Sequence, residues 1–211
     1  MKIKWWGHSC FLIKNDDIKI ITDPYDDSLP YKKVTDKPDI VTVSHQHFDH
    51  NAVSRIDGDF EIVDNKSGFK NDKVSIKAVK TYHDDNKGED RGENLIFMIE
   101  FADKTFCHMG DLGHSLSDND FKKLKTCDVL LIPVGGYYTI DADQAYEITK
   151  KIDPEIVIPM HYKTAELDFP ITGVEYFTNK FNKEDIQLID SAVFNLSDVK
   201  NKKVIVLDYI K

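Results

Sequence analysis

Residues 39–50 constrain this chain more than any other stretch. Asp39-Ile40-Val41-Thr42-Val43-Ser44 is a β-branched run of the length of one buried strand. It leads directly into His45-Gln46-His47-Phe48-Asp49-His50. His45, His47, Asp49 and His50 cannot serve as core filler, because imidazoles and a carboxylate packed together without a cation need many hydrogen bonds and repel when protonated. A metal-binding loop satisfies them. Nitrogen and oxygen donors without thiolates suit Zn²⁺, Mn²⁺ or Fe²⁺, and the lack of Cys ligands argues against a structural zinc site. A tight loop leaving a strand can aim His45 and His47 to one side and Asp49 with His50 to the other, so two adjacent ions are the natural product.

Each ion still needs ligands from distant strand ends. His83 follows a strand expected over 74–81, Asp111 follows one over 104–108, and His161 follows Ile156-Val157-Ile158, which is expected to stop at Pro159. Residues 2–22 read as two or three short strands with a hairpin turn at Asn15-Asp16-Asp17. Further strands are expected at 60–64, 94–101, 129–132, 186–189, 193–196 and 203–209, with a hairpin turn at Ala102-Asp103. Helices are expected over 117–125, over 141–152 and near 173–182. Asp141 with Gln144 forms a capping box, and Ala142, Ala145, Ile148 and Ile152 supply an apolar face. Residues 84–93 read as a surface loop between strands. Strands and helices alternate in the second half, so helices are expected on outer sheet faces.

Composition narrows the partners. The 211 residues, 41% hydrophobic and 31% charged, fit one soluble globular domain over 1–211, with no linker, repeat or membrane span. The net charge is −9, and Arg55 and Arg91 are the only arginines. Phosphate and base contacts favour Arg, so a nucleic-acid partner is disfavoured and a small molecule is expected. The acids divide into 28 Asp and 9 Glu, a bias toward turns over helices. Cys10, Cys107 and Cys127 are far apart and read as reduced thiols, and no leader precedes the first strand, so a cytoplasmic location is expected. The oligomeric state is left open.

The His45–His50 motif resembles the HxHxDH hallmark of the metallo-β-lactamase superfamily. Trp6-Gly7-His8-Ser9-Cys10-Phe11, Thr22-Asp23-Pro24, His108-Met109-Gly110-Asp111-Leu112-Gly113-His114, Pro133-Val134-Gly135-Gly136 and Pro159-Met160-His161-Tyr162 look like the blocks of one branch of it. That branch is the predicted zinc-dependent hydrolases that include ascorbate-6-phosphate lactonase. The resemblance implies a four-layer αββα sandwich. It also implies that His45, His47 and His83 hold one metal, that Asp49, His50 and His161 hold the other, and that Asp111 bridges them. Two departures set this chain apart from true β-lactamases: His83 stands in Tyr-His-Asp-Asp, and Leu112 follows the bridging aspartate where Thr is common.

Such a site lowers the pKa of bound water from ~15.7 toward 7, giving a hydroxide nucleophile without a catalytic Ser or Cys. The expected activity is a metal-dependent, dinuclear hydrolase, with Zn²⁺ ahead of Mn²⁺ and Fe²⁺, acting on a small anionic ester, lactone or phosphodiester. Asp49 and Asp111 are the expected catalytic carboxylates. His8, Asp23, His108 and His114 are candidates to orient the ligands, and Tyr162 and Lys163 to meet the ligands or substrate. Gly135-Gly136 is either a turn or a close approach to substrate. The rivals are a nuclease on the same scaffold, a diiron oxidoreductase, which would carry Glu in place of His47, and a non-catalytic metal-binding protein.

Overall fold

Side-chain alternation along the first strands creates one sheet with two apolar faces. In β1 (Lys2–Gly7), β2 (Cys10–Lys14) and β3 (Lys19–Thr22), Ile3, Trp5, Phe11, Ile13 and Ile20 belong to one buried cluster, whereas Trp6, Cys10, Leu12 and Ile21 belong to another. Two faces need two covers, so the sheet must sit inside a layered structure. The computed structural model describes residues 1–101, 103–199, 201 and 203–211. The hairpin residue Ala102 lies outside the described residues.

The first sheet is completed by β4 (Ile40–Thr42), β5 (Glu61–Val63) and a late strand, β13 (Val193–Asn195), in the order β13-β1-β2-β3-β4-β5. The second sheet uses β6 (Phe69–Lys70), β7 (Ser75–Tyr82), β8 (Glu93–Glu100), β9 (Thr105–His108), β10 (Val129–Pro133), β11 (Ile156–Met160), β12 (Ile186–Ile189) and β14 (Val204–Leu207). Its order is β12-β14-β11-β10-β9-β8-β7-β6, parallel from β12 to β9 and antiparallel from β9 to β6. The parallel neighbours β9, β10 and β11 are joined through helices, as crossovers require.

The result is an α/β sandwich whose core holds Trp5, Phe11, Phe97 and Phe106, each almost completely buried. Helices α1 (Asp118–Leu124), α2 (Ala142–Ile152) and α3 (Glu175–Thr178) add Phe121, Leu124, Ile148 and Phe177 to the cluster of the second sheet. Asp141 and Gln144 form the expected capping box on α2, and Ser117 with Asp120 forms another on α1. The outer face of the first sheet carries no α-helix among the described residues. Tyr25, Leu29, Tyr31, Val34, Ile56, Leu167 and Ile171 from irregular segments cover it instead.

Local expectations differ in three places. β11 runs through Pro159, which pairs in register with Ile132 near the strand exit, where the ladder tolerates a missing N–H. The helix expected near 173–182 shrinks to the single turn α3, because Val174 offers no side-chain cap and the segment is held by ring packing among Phe177, Phe181 and Tyr146. β6 is a two-residue strand too short to show a period.

The pairing directions make β1, β3 and β4 exit one way from the first sheet, and β7, β9, β10 and β11 one way from the second. Their carboxyl ends meet at one edge, joined across the sheets by Leu95 N–H donating to Ser44 O at 2.9 Å. Gly110 sits in that seam with φ +54°, and a Cβ there would collide with Asn94 Oδ1 and lie 2.6 Å from Ser44 Cβ. Gly110→Ala is therefore expected to cost about 3 kcal/mol or more in urea unfolding, combining left-handed strain with displaced polar groups. Gly58→Ala, at φ +122° with Lys37 Cβ 3.6 Å away, should cost only the strain, about 1–2 kcal/mol.

Candidate metal centre

Six strand ends supply the site. His8 follows β1, Asp23 follows β3, the His45–His50 loop follows β4, His83 follows β7, Asp111 follows β9 and His161 follows β11. Three of these residues leave their strands in the left-handed region: His8 at φ 52°, Asp23 at φ 40° and His161 at φ 51°. That conformation is uncommon for residues with a side chain and persists where surrounding contacts enforce it. Here His161 N–H donates to His8 O at 3.3 Å, and Asp23 N–H donates to Thr42 O at 2.9 Å. The kinks turn each side chain toward the seam between the sheets.

Asp111 lies at the centre, 1% exposed. Its Oδ2 is 3.1 Å from His161 Nε2, 3.3 Å from His50 Nε2 and 3.3 Å from His83 Nε2. Around it the donor atoms form two groups, each within 4.8 Å, His45, His47 and His83 on one side and His8, Asp49, His50 and His161 on the other, while a third, Asp23 with His45 and His50, overlaps both. The sequence-predicted ligands are thus brought together, and His8 joins them. His8 Nε2 is 3.2 Å from Asp49 Oδ2, and its ring lies 4.0 Å from that of His161.

Asp23 sits one layer out. Its Oδ2 faces His50 Nδ1 at 2.8 Å and accepts from Ser44 Oγ at 2.5 Å, while its Oδ1 accepts from Ser44 N–H at 2.8 Å. Ser44 Oγ is also 2.9 Å from His45 Nδ1, so one carboxylate and one hydroxyl steer two imidazoles. A second brace holds the backbone of Asp111, whose N–H donates to Asn94 Oδ1 at 2.9 Å. Asn94 Nδ2 in turn donates to Thr81 Oγ1 and Met109 O.

Charge and burial leave Asp111, Asp49, His45, His8 and His83 in the forms that bind cations. Burial favours the neutral acid at Asp111, yet the His161 and His50 imidazoles hold it well below the usual carboxylate range. Asp49 is depressed likewise, burial opposing and His50 and His8 prevailing. Burial pushes His45 well down, and His8 and His83 to about 4. His50 is the exception: burial opposes its charge, but Asp111 and Asp49 raise it. Ionised carboxylates and neutral imidazoles are the donor states a divalent ion requires. His45 Nε2, His50 Nε2 and Asp111 Oδ1 are buried without a hydrogen-bond partner among the described residues, the His50–Asp111 approach lacking hydrogen-bond geometry. Unsatisfied donors facing one another fit a metal-binding cluster.

Other candidates fall outside it. His108 is fully buried and contacts Ser9 O at 2.9 Å, bracing the β1–β2 turn. His114 Nε2 accepts from Tyr82 N–H, beyond the metal groups. Tyr162 packs its ring 5.2 Å from that of Trp5 in the core, away from the ligands, because its position beyond the His161 kink faces the sheet interior. Lys163 donates to Phe169 O at 2.9 Å and lies 3.3 Å from Asp168, so it secures a loop and does not reach into the site. Gly135 packs against the backbone of His161, where a Cβ would collide with its carbonyl; the close approach is to the strand end that carries His161.

A cavity of about 320 Å³ opens on the cluster, lined by His47, Phe48, Asp49, His83, Arg91, Asp111, Tyr138, His161 and Phe169. Tyr138, with Thr139, stands in the block that follows Gly135-Gly136 and Phe48 lies inside the histidine motif, whereas Phe169, Asn94 and the place of Arg91 at the cavity escaped the sequence reading. Isolated loop aromatics carry no periodic signal, and Asn94 acts through a cross-strand pairing with Thr81 that no local pattern reveals.

Comparison with known proteins agrees with this geometry. Residues 2–161 match the model of the β-lactamase superfamily domain. A UPF0173 metal-dependent hydrolase of Thermoplasma acidophilum is 31% identical over 193 residues, covering 79% of this chain and 85% of the relative. One from Nanoarchaeum equitans is 32% identical over 221 residues, covering 92% and 97%. The crystal structure of a Thermotoga maritima protein, assigned as a zinc-dependent hydrolase of the metallo-β-lactamase superfamily, superposes with a TM-score of 0.82 at 35% identity, covering 100% of this chain and 99% of that one. The chain therefore belongs to the β-lactamase superfamily, as one of its metal-dependent hydrolases.

Proposed function

We propose that this hydrolase works with two divalent cations, Zn²⁺ first among them, on a small anionic ester, lactone or phosphodiester. The observation that carries the reading is Asp111 Oδ2 standing 3.1–3.3 Å from imidazoles of both donor groups. His45, His47 and His83 would hold one ion, His50, His161 and Asp49 the other, with Asp111 shared between them. The bound ions supply Lewis acidity and lower the pKa of a coordinated water from ~15.7 to about 7.

The chain's own groups do the remaining work. Asp49 Oδ2, 3.2 Å from His8 Nε2, would take a proton from the attacking water. Asp23 Oδ2, 2.8 Å from His50 Nδ1, would accept from Nδ1–H, so that Nε2 is the nitrogen that gives up its proton to serve as a ligand. Phe48, Tyr138 and Phe169 limit water access and set the size of what enters. A net charge of −9 with two arginines favours a compact anion over a nucleic acid, whose binding draws on many basic contacts.

Metal analysis of the purified protein should find about two equivalents of Zn²⁺ or Mn²⁺. Chelation should abolish hydrolysis and lower the melting temperature, since a ligand present at 100 times its Kd adds about 2.7 kcal/mol of stability. Failure to hydrolyse any lactone, ester or phosphodiester of a broad panel at every metal loading would overturn the proposed chemistry. Asp49→Ala should lower kcat by about 10²–10⁴-fold. Asp23→Asn, at the carboxylate 2.8 Å from His50 Nδ1, should weaken metal affinity about 10–100-fold in a chelator competition titration.

A further inference from the structure

The two arginines occupy opposite circumstances. Arg55 is paired with Asp27, an ordinary fate in a chain with 37 acids. Arg91 is half-buried, and among the described residues no carboxylate lies within ion-pair distance of its guanidinium. Its Cζ stands 5.6 Å from the ring centroid of Tyr138, and both side chains line the metal cavity together. Arg91 also borders the two neighbouring cavities, of about 660 and 520 Å³, so it stands where three openings meet.

The loop that presents it is built with care. Asp84, 4% exposed, accepts four backbone N–H groups: Asn86 at 2.9 Å and Gly88 at 2.7 Å on Oδ1, Asp90 at 3.2 Å and Arg91 at 2.8 Å on Oδ2. His83 N–H donates to Gly92 O at 3.0 Å, which closes the loop onto the residue placed in the His45–His47–His83 group. Residues 84–92 therefore form a rigid bracket from that histidine to Arg91. An exposed loop with no task has no need of a buried carboxylate satisfied four times over. A guanidinium held by an aromatic face, its planar fork free of any acid, is prepared for a bidentate anion.

We propose that Arg91 binds the charged group of the substrate, a carboxylate or phosphate carried close to the bond that is cut, with Tyr138 holding the guanidinium in place beside the metal cavity. The inference rests on the hydrolase reading above and adds the residue that selects anions. The bond broken lies at the metal cluster, while the charged group is held a side-chain length away across the aromatic walls.

A matched pair of esters tests it: mono-p-nitrophenyl glutarate, which carries a carboxylate, and the neutral p-nitrophenyl butyrate. In Arg91→Gln, the ratio of kcat/KM for the anionic over the neutral ester should fall about ten- to a hundred-fold, the size of a lost charge-assisted pair. Arg91→Lys, which keeps the charge and loses the fork, should recover part of it. Calorimetric titration with phenylphosphonate, on proteins matched for metal content and melting temperature, should show a comparable weakening in Arg91→Gln. An unchanged ratio with both esters turned over, or an unchanged phenylphosphonate Kd, overturns the role of Arg91. If neither ester is cleaved by the wild type, the proposed chemistry fails instead, and the phenylphosphonate titration alone decides Arg91.

Discussion

One carboxylate oxygen, Asp111 Oδ2, faces three imidazoles from three different strand ends at 3.1–3.3 Å. Burying an ion costs several kcal/mol even after relaxation, and removing one partner of such a cluster leaves the others uncompensated. Asp111 is therefore tolerated only if β4, β7, β9 and β11 all end at the same place. The Asn94 and Ser44 contacts, together with the tight fit at Gly110, serve that convergence. The two sheets hence have little freedom to slide, since any shift would part the strand ends that carry His50 and those that carry His83, Asp111 and His161.

Apolar burial supplies the framework that bears this polar cost. The core between the sheets is built from large side chains that are almost wholly buried, among them Trp5, Phe97 and Phe106. The polar cluster is confined to the edge where strands end, and where backbone can leave regular geometry without breaking a ladder. His8, Asp23 and His161 adopt left-handed conformations there, each one residue beyond its strand. Strain is thus stored beside the site and held by the sheets, an arrangement that preorganises donors before any ligand arrives.

Sequence and structure agree most closely where a signal is local. The β-branched run before His45, the capping box at Asp141 and the positions of His83, Asp111 and His161 just beyond strands all stand in the structure as short-range patterns. Local pattern failed where packing decides. Phe177 and Phe181 carry a helical spacing that yields one turn, since ring contacts with Tyr146 hold the segment without a continuous helix. Tyr162 and Lys163 adjoin His161 in the chain, yet one enters the core and the other ties down the Phe169 loop. Adjacency along the chain says little about adjacency in space here, because both residues lie beyond β11 and past the left-handed turn at His161.

By itself the sequence determined the chemistry of the donors: histidine and aspartate crowded into six residues can be satisfied by a cation and by little else. It also determined that further donors follow strands. The tertiary structure decided which residues gather around them. It placed His8 beside Asp49, set Ser44 and Asp23 behind two imidazoles, and brought Arg91 to the metal cavity with no carboxylate of the described residues within ion-pair distance. The physical reason is distance. Ligand types are fixed by side-chain chemistry, which each residue carries alone, whereas a site's shape and charge come from atoms a few ångströms apart in space whose residues are tens of positions apart in the chain.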